Sequence, residues 1–94
     1  MDSVRKTFTI VNTLGLHARA AAGFVKLTNQ FSSNVKIIKS GYEVDGKSIL
    51  GILSLAAARG TEIDIEVSGS DAENAAELIS EFVESGFGEG AHGK

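Results

Sequence analysis

The sequence predicts an α+β domain in which helices cover one face of a single sheet, in the order β-α-β-β-α-β-α. Two segments alternate apolar and polar residues with a period of two, which indicates strands that are buried on one side only. Two others repeat apolar residues every three or four positions, which indicates amphipathic helices. The 94 residues contain neither an internal repeat nor a linker, so these elements belong to one domain.

The first strand and the first helix are joined by a turn-rich loop, residues 12–16. Apolar and polar residues alternate from Val4 to Val11, which predicts the strand. The period changes at about Ala18, where a helix begins and places a set of residues on one face: Ala21, Phe24, Val25, Thr28 and Phe31. His17 therefore stands at the entrance to this helix.

A hairpin and a second helix are predicted in the middle of the chain. Val35–Lys39 and Tyr42–Asp45 have the pattern of strands, and Ser40-Gly41 between them supplies the turn. Residues 49–59 are predicted to form the second helix, closed by Gly60, because glycine tolerates the left-handed backbone at a helix end. Apolar residues surround almost the whole helix, so those of its first turn are expected to be exposed or to meet another molecule.

The last strand and the last helix have the clearest patterns. Ile63, Ile65 and Val67 alternate with acidic residues, which predicts a strand with one face in water. Ser70 followed by Glu73 is the pattern of a capping box at a helix start. The helix itself is predicted from a repeat that contains Ala72, Ala75, Ala76, Ile79, Phe82 and Val83.

The domain is predicted to cover residues 1–88, followed by a disordered glycine-rich tail at residues 89–94. After Ser85 the sequence is too rich in glycine to order without tertiary anchors. The tail contains His92. Because His17 is the only other histidine and cysteine is absent, no metal site is predicted.

Composition limits the classes of function. The chain is 43% hydrophobic and 22% charged, and it has no apolar run near the roughly 20 residues that span a bilayer. No secretory leader is recognisable and cysteine is absent, so we expect a soluble cytoplasmic protein without membrane insertion. The formal net charge of −3 argues against nucleic acid as a partner. The small size argues against a deep active-site cleft, and no cofactor is expected.

The segment from Gly15 to Ala21 is the most informative for function. A helix N-terminus carries free N–H groups and a partial positive charge, so acidic residues are favoured there. Here the segment holds His17 and Arg19 and no carboxylate, which makes sense if the site receives an anion such as phosphate. A neutral imidazole offers a ring nitrogen as a nucleophile, and Arg19 can bind phosphate oxygens. A lone His-x-Arg also occurs on ordinary surfaces, so this spacing alone leaves a merely capping histidine open.

A second motif suggests a different chemistry. Residues 41–48 match the phosphate-binding loop of nucleotide hydrolases and lie between a strand and a helix. Glu43 and Asp45 would, however, place two carboxylates against a polyphosphate, and the chain is too short for the parallel sheet of such hydrolases. We therefore expect Ser48 to cap the second helix, where a phosphate on its hydroxyl would also be tolerated.

Taken together, these segments resemble the HPr family, the histidine-containing phosphocarriers of the phosphoenolpyruvate-dependent sugar phosphotransferase system. The resemblance rests on Phe8-Thr9-Ile10, on Gly15-Leu16-His17-Ala18-Arg19 and on residues 46–56, followed by Gly60. Two signature segments in the right order and spacing are far more specific than either one alone. The resemblance implies an open-faced sandwich of four antiparallel strands and three helices.

The resemblance also implies roles for individual residues. His17 would accept a phosphoryl group at ring Nδ1 from enzyme I and pass it to sugar-specific IIA components. Arg19 would assist the transfer, and the backbone of Ala18 and Arg19 would bind the phosphate. Ser48 would be the serine that a dedicated kinase/phosphorylase modifies in many bacteria. Ile49, Leu50 and Leu53 would form the docking surface for partners. The protein would be a monomeric carrier that turns over no substrate of its own.

One residue departs from the pattern of the family, because Ala20 stands where a proline usually follows the arginine. Proline in a first helical turn costs little and stiffens the turn, so alanine keeps the helix and leaves the rate of transfer open. The alternative function is a regulatory binding module that signals mainly through Ser48 phosphorylation, without sugar transport.

Overall fold

A computed structural model describes residues 3–88 of the chain. Seven elements follow one another in the predicted order: β1 (Ser3–Thr9), α1 (Ala18–Thr28), β2 (Asn34–Lys39), β3 (Tyr42–Asp45), α2 (Ile49–Ser54), β4 (Glu62–Ser68) and α3 (Ala72–Glu84). The tail predicted at residues 89–94, with His92, lies outside the described residues. No helix within residues 3–88 is long and apolar enough to cross a membrane.

The four strands form one antiparallel sheet in the order β1-β4-β2-β3. Ile37 of β2 lies beside Ile65 of β4, and Phe8 of β1 lies beside Ile63 of the same β4 strand. These residues are buried on the face that the helices cover, as the period-two pattern predicts. The fold is therefore the predicted α+β open-faced sandwich.

The β2–β3 hairpin turns at Ser40 and Gly41, as predicted. Both residues have a positive φ, 51° for Ser40 and 82° for Gly41. Two consecutive positive φ angles give the tight turn whose twist matches that of two antiparallel strands. The turn brings β3 back beside β2 and places the start of α2 at the end of this hairpin.

The core lies between the sheet and the inner faces of α1 and α3. Phe24 of α1 is completely buried, and its ring centroid lies 6.5 Å from that of Phe82 and 6.1 Å from that of Phe87. Phe87 is also buried, and its ring meets Phe82 edge-on at 5.9 Å. This aromatic cluster is a tertiary anchor for the glycine-rich segment that begins after Ser85.

The second helix is shorter than predicted, because it ends at Ser54 rather than at Arg59. Local propensity favours a longer helix, since three alanines follow Leu55. The chain nevertheless leaves the helix at Ala56, whose φ is 49°. Gly60 does adopt the positive φ expected of it, at 89°, but it does so in a loop.

Tertiary hydrogen bonds hold this early end of α2. The ammonium of Lys39 donates to the carbonyl of Leu55 at 2.8 Å. The backbone N–H of Leu16 donates to the carbonyl of Ala57 at 2.9 Å. In the predicted helix the Leu55 carbonyl would instead accept the N–H of Arg59, four residues later, so contacts with other elements override the local propensity.

The capping box predicted at the start of α3 is wrong. The N-cap residue is Asp71 rather than Ser70, and Asp71 makes no side-chain hydrogen bond to the helix. Its carboxylate instead accepts the backbone N–H groups of Ser32 and Ser33, at 2.9 and 3.0 Å, and both serine hydroxyls. These hydrogen bonds, led by that of the Ser33 hydroxyl, lower the pKa of Asp71 to about 2.

Candidate functional site

His17 occupies the N-cap position of α1, as the sequence predicts. Its backbone is extended, with φ of −84° and ψ of −179°, and its carbonyl accepts the N–H of Ala21 at 2.9 Å to begin the helix. The half-buried ring turns back over the helix end, where Nδ1 accepts the backbone N–H of Arg19 at 3.2 Å. A nitrogen that accepts a hydrogen bond carries no proton, so the neutral ring holds its proton on Nε2.

The start of α1 suits an anion. Its first turn contains no acidic residue, and the first N–H groups of a helix have no acceptor within the helix. The ring of His17 accepts one of these groups, and both Ala18 and Arg19 are exposed. The oxygen atoms of an anionic group held at Nδ1 would therefore meet N–H donors and the positive end of the helix dipole. Ala20 is completely buried in the same turn, so the helix forms without the usual proline.

The loop before His17 lies against the segment that follows α2. Gly15 has a φ of 66°, and a Cβ at this position would lie 2.5 Å from the carbonyl oxygen of Ala57 and 2.9 Å from Cα of Ala58. The N–H of the next residue, Leu16, donates to the same Ala57 carbonyl. Only glycine fits both this conformation and this close approach, so Gly15 fixes the position of the loop.

Asn12 also belongs to the turn before His17, although its sequence pattern does not mark it as a site residue. Its side chain is completely buried, and its Nδ2 donates to the carbonyl of Gly15 at 2.8 Å. The signal in the sequence is an asparagine in the segment before a glycine, which is typical of many turns and points to no particular function. Only the structure shows that this asparagine belongs to the turn that presents His17.

Ser48 caps α2, as predicted. Its backbone is extended, with φ of −118° and ψ of 116°, and its Oγ accepts the N–H of Gly51 at 3.0 Å. The residue is half-buried, and its hydroxyl already holds the start of the helix.

The first turn of α2 exposes apolar side chains, as its composition predicts. Ile49 and Leu50 are 40% and 80% exposed, whereas Ile52 is completely buried. Leu53 is half-buried and packs against the core. We define the α2 surface as Ile49, Leu50 and Leu53. Because α2 packs against α1, this surface and His17 belong to adjoining elements.

Neither a metal cluster nor a nucleotide-binding loop is present within residues 3–88. No three His, Asp or Glu side chains of this range lie close enough together to hold a metal ion. The segment that resembles a phosphate-binding loop contains strand β3, Tyr42–Asp45, which is paired with β2. Its lysine, Lys47, donates from Nζ to the carbonyl of Phe31 at 2.7 Å. The motif therefore connects the hairpin to the loop after α1.

The structure is thus an open-faced α+β sandwich with a histidine nitrogen at the start of its first helix. The family model for the PTS HPr component phosphorylation site matches residues 4–85, where PTS denotes the phosphotransferase system. The chain belongs to this family, the HPr phosphocarriers, and the resemblance drawn from its sequence is confirmed.

Similar proteins match nearly the whole chain. The phosphocarrier protein HPr of Neisseria meningitidis serogroup A is 41% identical over 87 residues, which is 93% of this chain and 98% of that protein. The HPr-like protein Crh of Bacillus subtilis is 43% identical over 70 residues, or 74% of this chain and 82% of Crh. The crystal structure of HPr-C-His from Thermoanaerobacter tengcongensis is 40% identical and superposes with a TM-score of 0.85, over 95% of this chain and 98% of that one.

Proposed function

We propose that His17 is the phosphoryl acceptor of this carrier. The observation that carries the proposal is the position of Nδ1 over the N-terminus of α1, where it accepts the Arg19 N–H at 3.2 Å. Nδ1 attacks the phosphorus atom of a charged donor, the bond from phosphorus to the donor breaks, and a P–N bond forms on the ring. The Arg19 N–H, released from Nδ1, then donates to a phosphate oxygen.

Two further groups bind the phosphate in this proposal. The backbone N–H of Ala18 lies in the same helical turn as that of Arg19, and both groups belong to the positive end of the helix dipole. The exposed guanidinium of Arg19 adds charge-assisted hydrogen bonds to the phosphate oxygens during transfer. The chain therefore holds a phosphoryl group at a helix end without a cofactor and without turning over a substrate of its own.

Enzyme I, charged from phosphoenolpyruvate, is the proposed donor, and sugar-specific IIA components are the proposed acceptors. Both must reach the same histidine, so they need a common surface beside it. The α2 surface supports this role because it exposes apolar area on the helix that packs against α1. These partners would place the reaction in the cytoplasm.

Incubation with enzyme I and phosphoenolpyruvate tests the proposal. The wild type is expected to gain one phosphate that is labile in acid and stable in base, and His17→Ala is expected to gain none. Ser48→Ala is the matched control, because it also removes a side chain that caps a helix but keeps the histidine. A wild type that gains no phosphate from a donor able to charge another HPr would overturn the proposal.

Regulation through Ser48 is the second candidate function. A phosphate on Ser48 would lie at the N-terminus of α2 and bring up to about two negative charges next to Ile49 and Leu50. The related protein Crh is described as a catabolite repression HPr. A serine kinase/phosphorylase would be the partner of this role. Signalling that survives in His17→Ala but not in Ser48→Ala would favour it, and the opposite result would exclude it.

The carrier is further proposed to act as a monomer, because partners that dock on the α2 surface need it uncovered. One related structure is described as an HPr dimer from Thermoanaerobacter tengcongensis, so this chain requires its own measurement. Light scattering should give a mass near 9.8 kDa in solution. A mass of twice that value would contradict the proposal.

A further inference from the structure

Asn12 closes the turn before His17 from both of its ends. The backbone N–H of Gly15 donates to the carbonyl of Asn12 at 3.1 Å, and the side-chain Nδ2 of Asn12 donates back to the carbonyl of Gly15 at 2.8 Å. The side chain of Asn12 is 0% exposed. A buried amide is costly unless its hydrogen bonds are made, so this side chain keeps one geometry.

The same Gly15 carbonyl also accepts the backbone N–H of His17, at 3.0 Å. One oxygen atom therefore receives both the amide of Asn12 and the backbone of the residue that carries the reactive ring. Gly15 is packed closely against the loop after α2, because a Cβ built on it would lie 2.5 Å from the carbonyl oxygen of Ala57. Asn12 thus fixes the direction of the Gly15 carbonyl, and this direction fixes the backbone of His17.

The position of the His17 backbone decides where Nδ1 points. His17 lies outside the regular helix, and the N–H of Arg19 that meets its ring belongs to the helix. A small shift of the N-cap residue would therefore move the ring relative to the donors that must receive the phosphate. A misplacement of about 1 Å at a reacting atom can lower a rate by about 100-fold.

We propose that Asn12 is a positioning residue for phosphoryl transfer. Its buried amide holds the carbonyl of Gly15, and through it the backbone of His17, so that Nδ1 stays aimed at the N-terminus of α1. The inference rests on the proposed role of His17 as the phosphoryl acceptor. It assigns Asn12 no contact with the phosphate and no part in docking, which depends on the α2 surface.

Two variants isolate the hydrogen bond from Asn12. Asn12→Ala removes the donor and leaves a small cavity, whereas Asn12→Asp keeps the volume and replaces the N–H donor by a carboxyl oxygen. The change common to both is the loss of the amide donor. With enzyme I as the catalyst and this chain as its substrate, kcat is expected to fall about 10- to 100-fold in both variants. KM should stay within about twofold of the wild-type value, because the α2 surface is unchanged.

Two control variants separate positioning from general loss of stability. Asn74→Asp makes the same replacement at an exposed residue of α3 and should leave both kcat and KM unchanged. Ile79→Val weakens the completely buried core of α3 without touching the turn. It should lower Tm without lowering kcat.

Each outcome decides a different claim. A wild-type kcat in folded Asn12→Ala would overturn the inference. So would a kcat of Ile79→Val that falls as far as that of Asn12→Ala when the two variants have similar Tm values. A wild type that accepts no phosphate would instead overturn the role of His17. If neither Asn12 variant folds, NMR of the wild-type protein tests the inference. The scalar coupling across the hydrogen bond from Asn12 Nδ2 to the Gly15 carbonyl should be present before and after phosphorylation, and its absence would contradict the inference.

Discussion

The starts of α1 and α2 are capped in the same way by very different side chains. At α1, Nδ1 of His17 accepts the Arg19 N–H at 3.2 Å, and at α2, Oγ of Ser48 accepts the Gly51 N–H at 3.0 Å. Neither first turn contains an acidic residue. Serine is one of the preferred N-cap residues, whereas histidine is not. α2 therefore begins with a residue that suits a helix start, whereas α1 begins with an imidazole nitrogen where asparagine or serine would stabilise the helix more.

Removal of the Arg19 side chain should slow phosphoryl transfer strongly while it leaves the cap of α1 in place. Because this side chain is exposed, Arg19→Ala should change the free energy of unfolding by no more than about 0.5 kcal/mol. The rate of phosphoryl transfer, measured by rapid quench, should fall about 100-fold, because the guanidinium no longer stabilises the transferring group. Lys26→Ala removes a positive charge from the last turn of the same helix and should leave the rate unchanged. Equal rates in Arg19→Ala and the wild type would contradict this role.

Changes to the two caps should alter stability in opposite directions. His17→Asn places a preferred cap at α1 and should raise the free energy of unfolding by about 0.5 to 1 kcal/mol while it abolishes phosphate uptake. Ser48→Ala should lower the free energy of unfolding by about 1 kcal/mol and leave phosphorylation of His17 unchanged. Urea denaturation measures both values. If His17→Asn is less stable than the wild type, α1 does not give up stability for a reactive residue.

The start of α3 extends the comparison, because its N-cap residue Asp71 bonds to another loop. Hydrogen bonds from Ser33 and then Ser32 lower the pKa of Asp71 from 3.8 to about 2. Since the folded pKa lies below the unfolded one, ionised Asp71 stabilises the fold above about pH 4, and this contribution is lost as the pH falls toward 2. Asp71→Asn should have a lower Tm than the wild type at pH 6, and the difference should disappear near pH 2. Ser33→Ala should show part of the same effect. A difference in Tm that does not depend on pH would contradict the stabilisation of the fold by ionised Asp71.

The loop that supports α1 from the side of α2 contains a strained residue. A φ of 49° costs Ala56 about 1 kcal/mol, because its Cβ approaches the following carbonyl. Ala56→Gly should raise the free energy of unfolding by about 0.5 kcal/mol, once the greater entropy of unfolded glycine is subtracted. Ala58→Gly, two residues later at an exposed position without a positive φ, should lower it. A loss of stability in both variants would show that Ala56 is not strained.

Elements that depend on local patterns could be predicted from the sequence, and boundaries that depend on distant groups could not. The strands follow from period-two alternation, and α1 and α3 follow from helical spacing. The end of α2 depends on Lys39, which lies 16 residues before the carbonyl that it bonds. The start of α3 depends on serines 38 and 39 residues before Asp71.

The same division holds within the candidate site. His17 and Arg19 could be predicted because a basic pair at a helix start is visible in the sequence as an unusual local feature. The cap at Ser48 could be predicted because serine before an apolar helix is a common signal. Asn12 could not, because neither its burial nor its hydrogen bond to the Gly15 carbonyl is visible in the local sequence pattern.

The central claim is that Nδ1 of His17 carries the phosphoryl group. NMR of protein labelled with ¹⁵N-histidine, recorded before and after charging by enzyme I and phosphoenolpyruvate, tests it most directly. The account predicts a large change in the ¹⁵N chemical shift of Nδ1 of His17 and a coupling of this nitrogen to phosphorus. The amide resonance of Arg19 should also change, because its N–H then donates to a phosphate oxygen instead of Nδ1. Coupling to phosphorus at Nε2, or phosphate found only on Ser48, would contradict it.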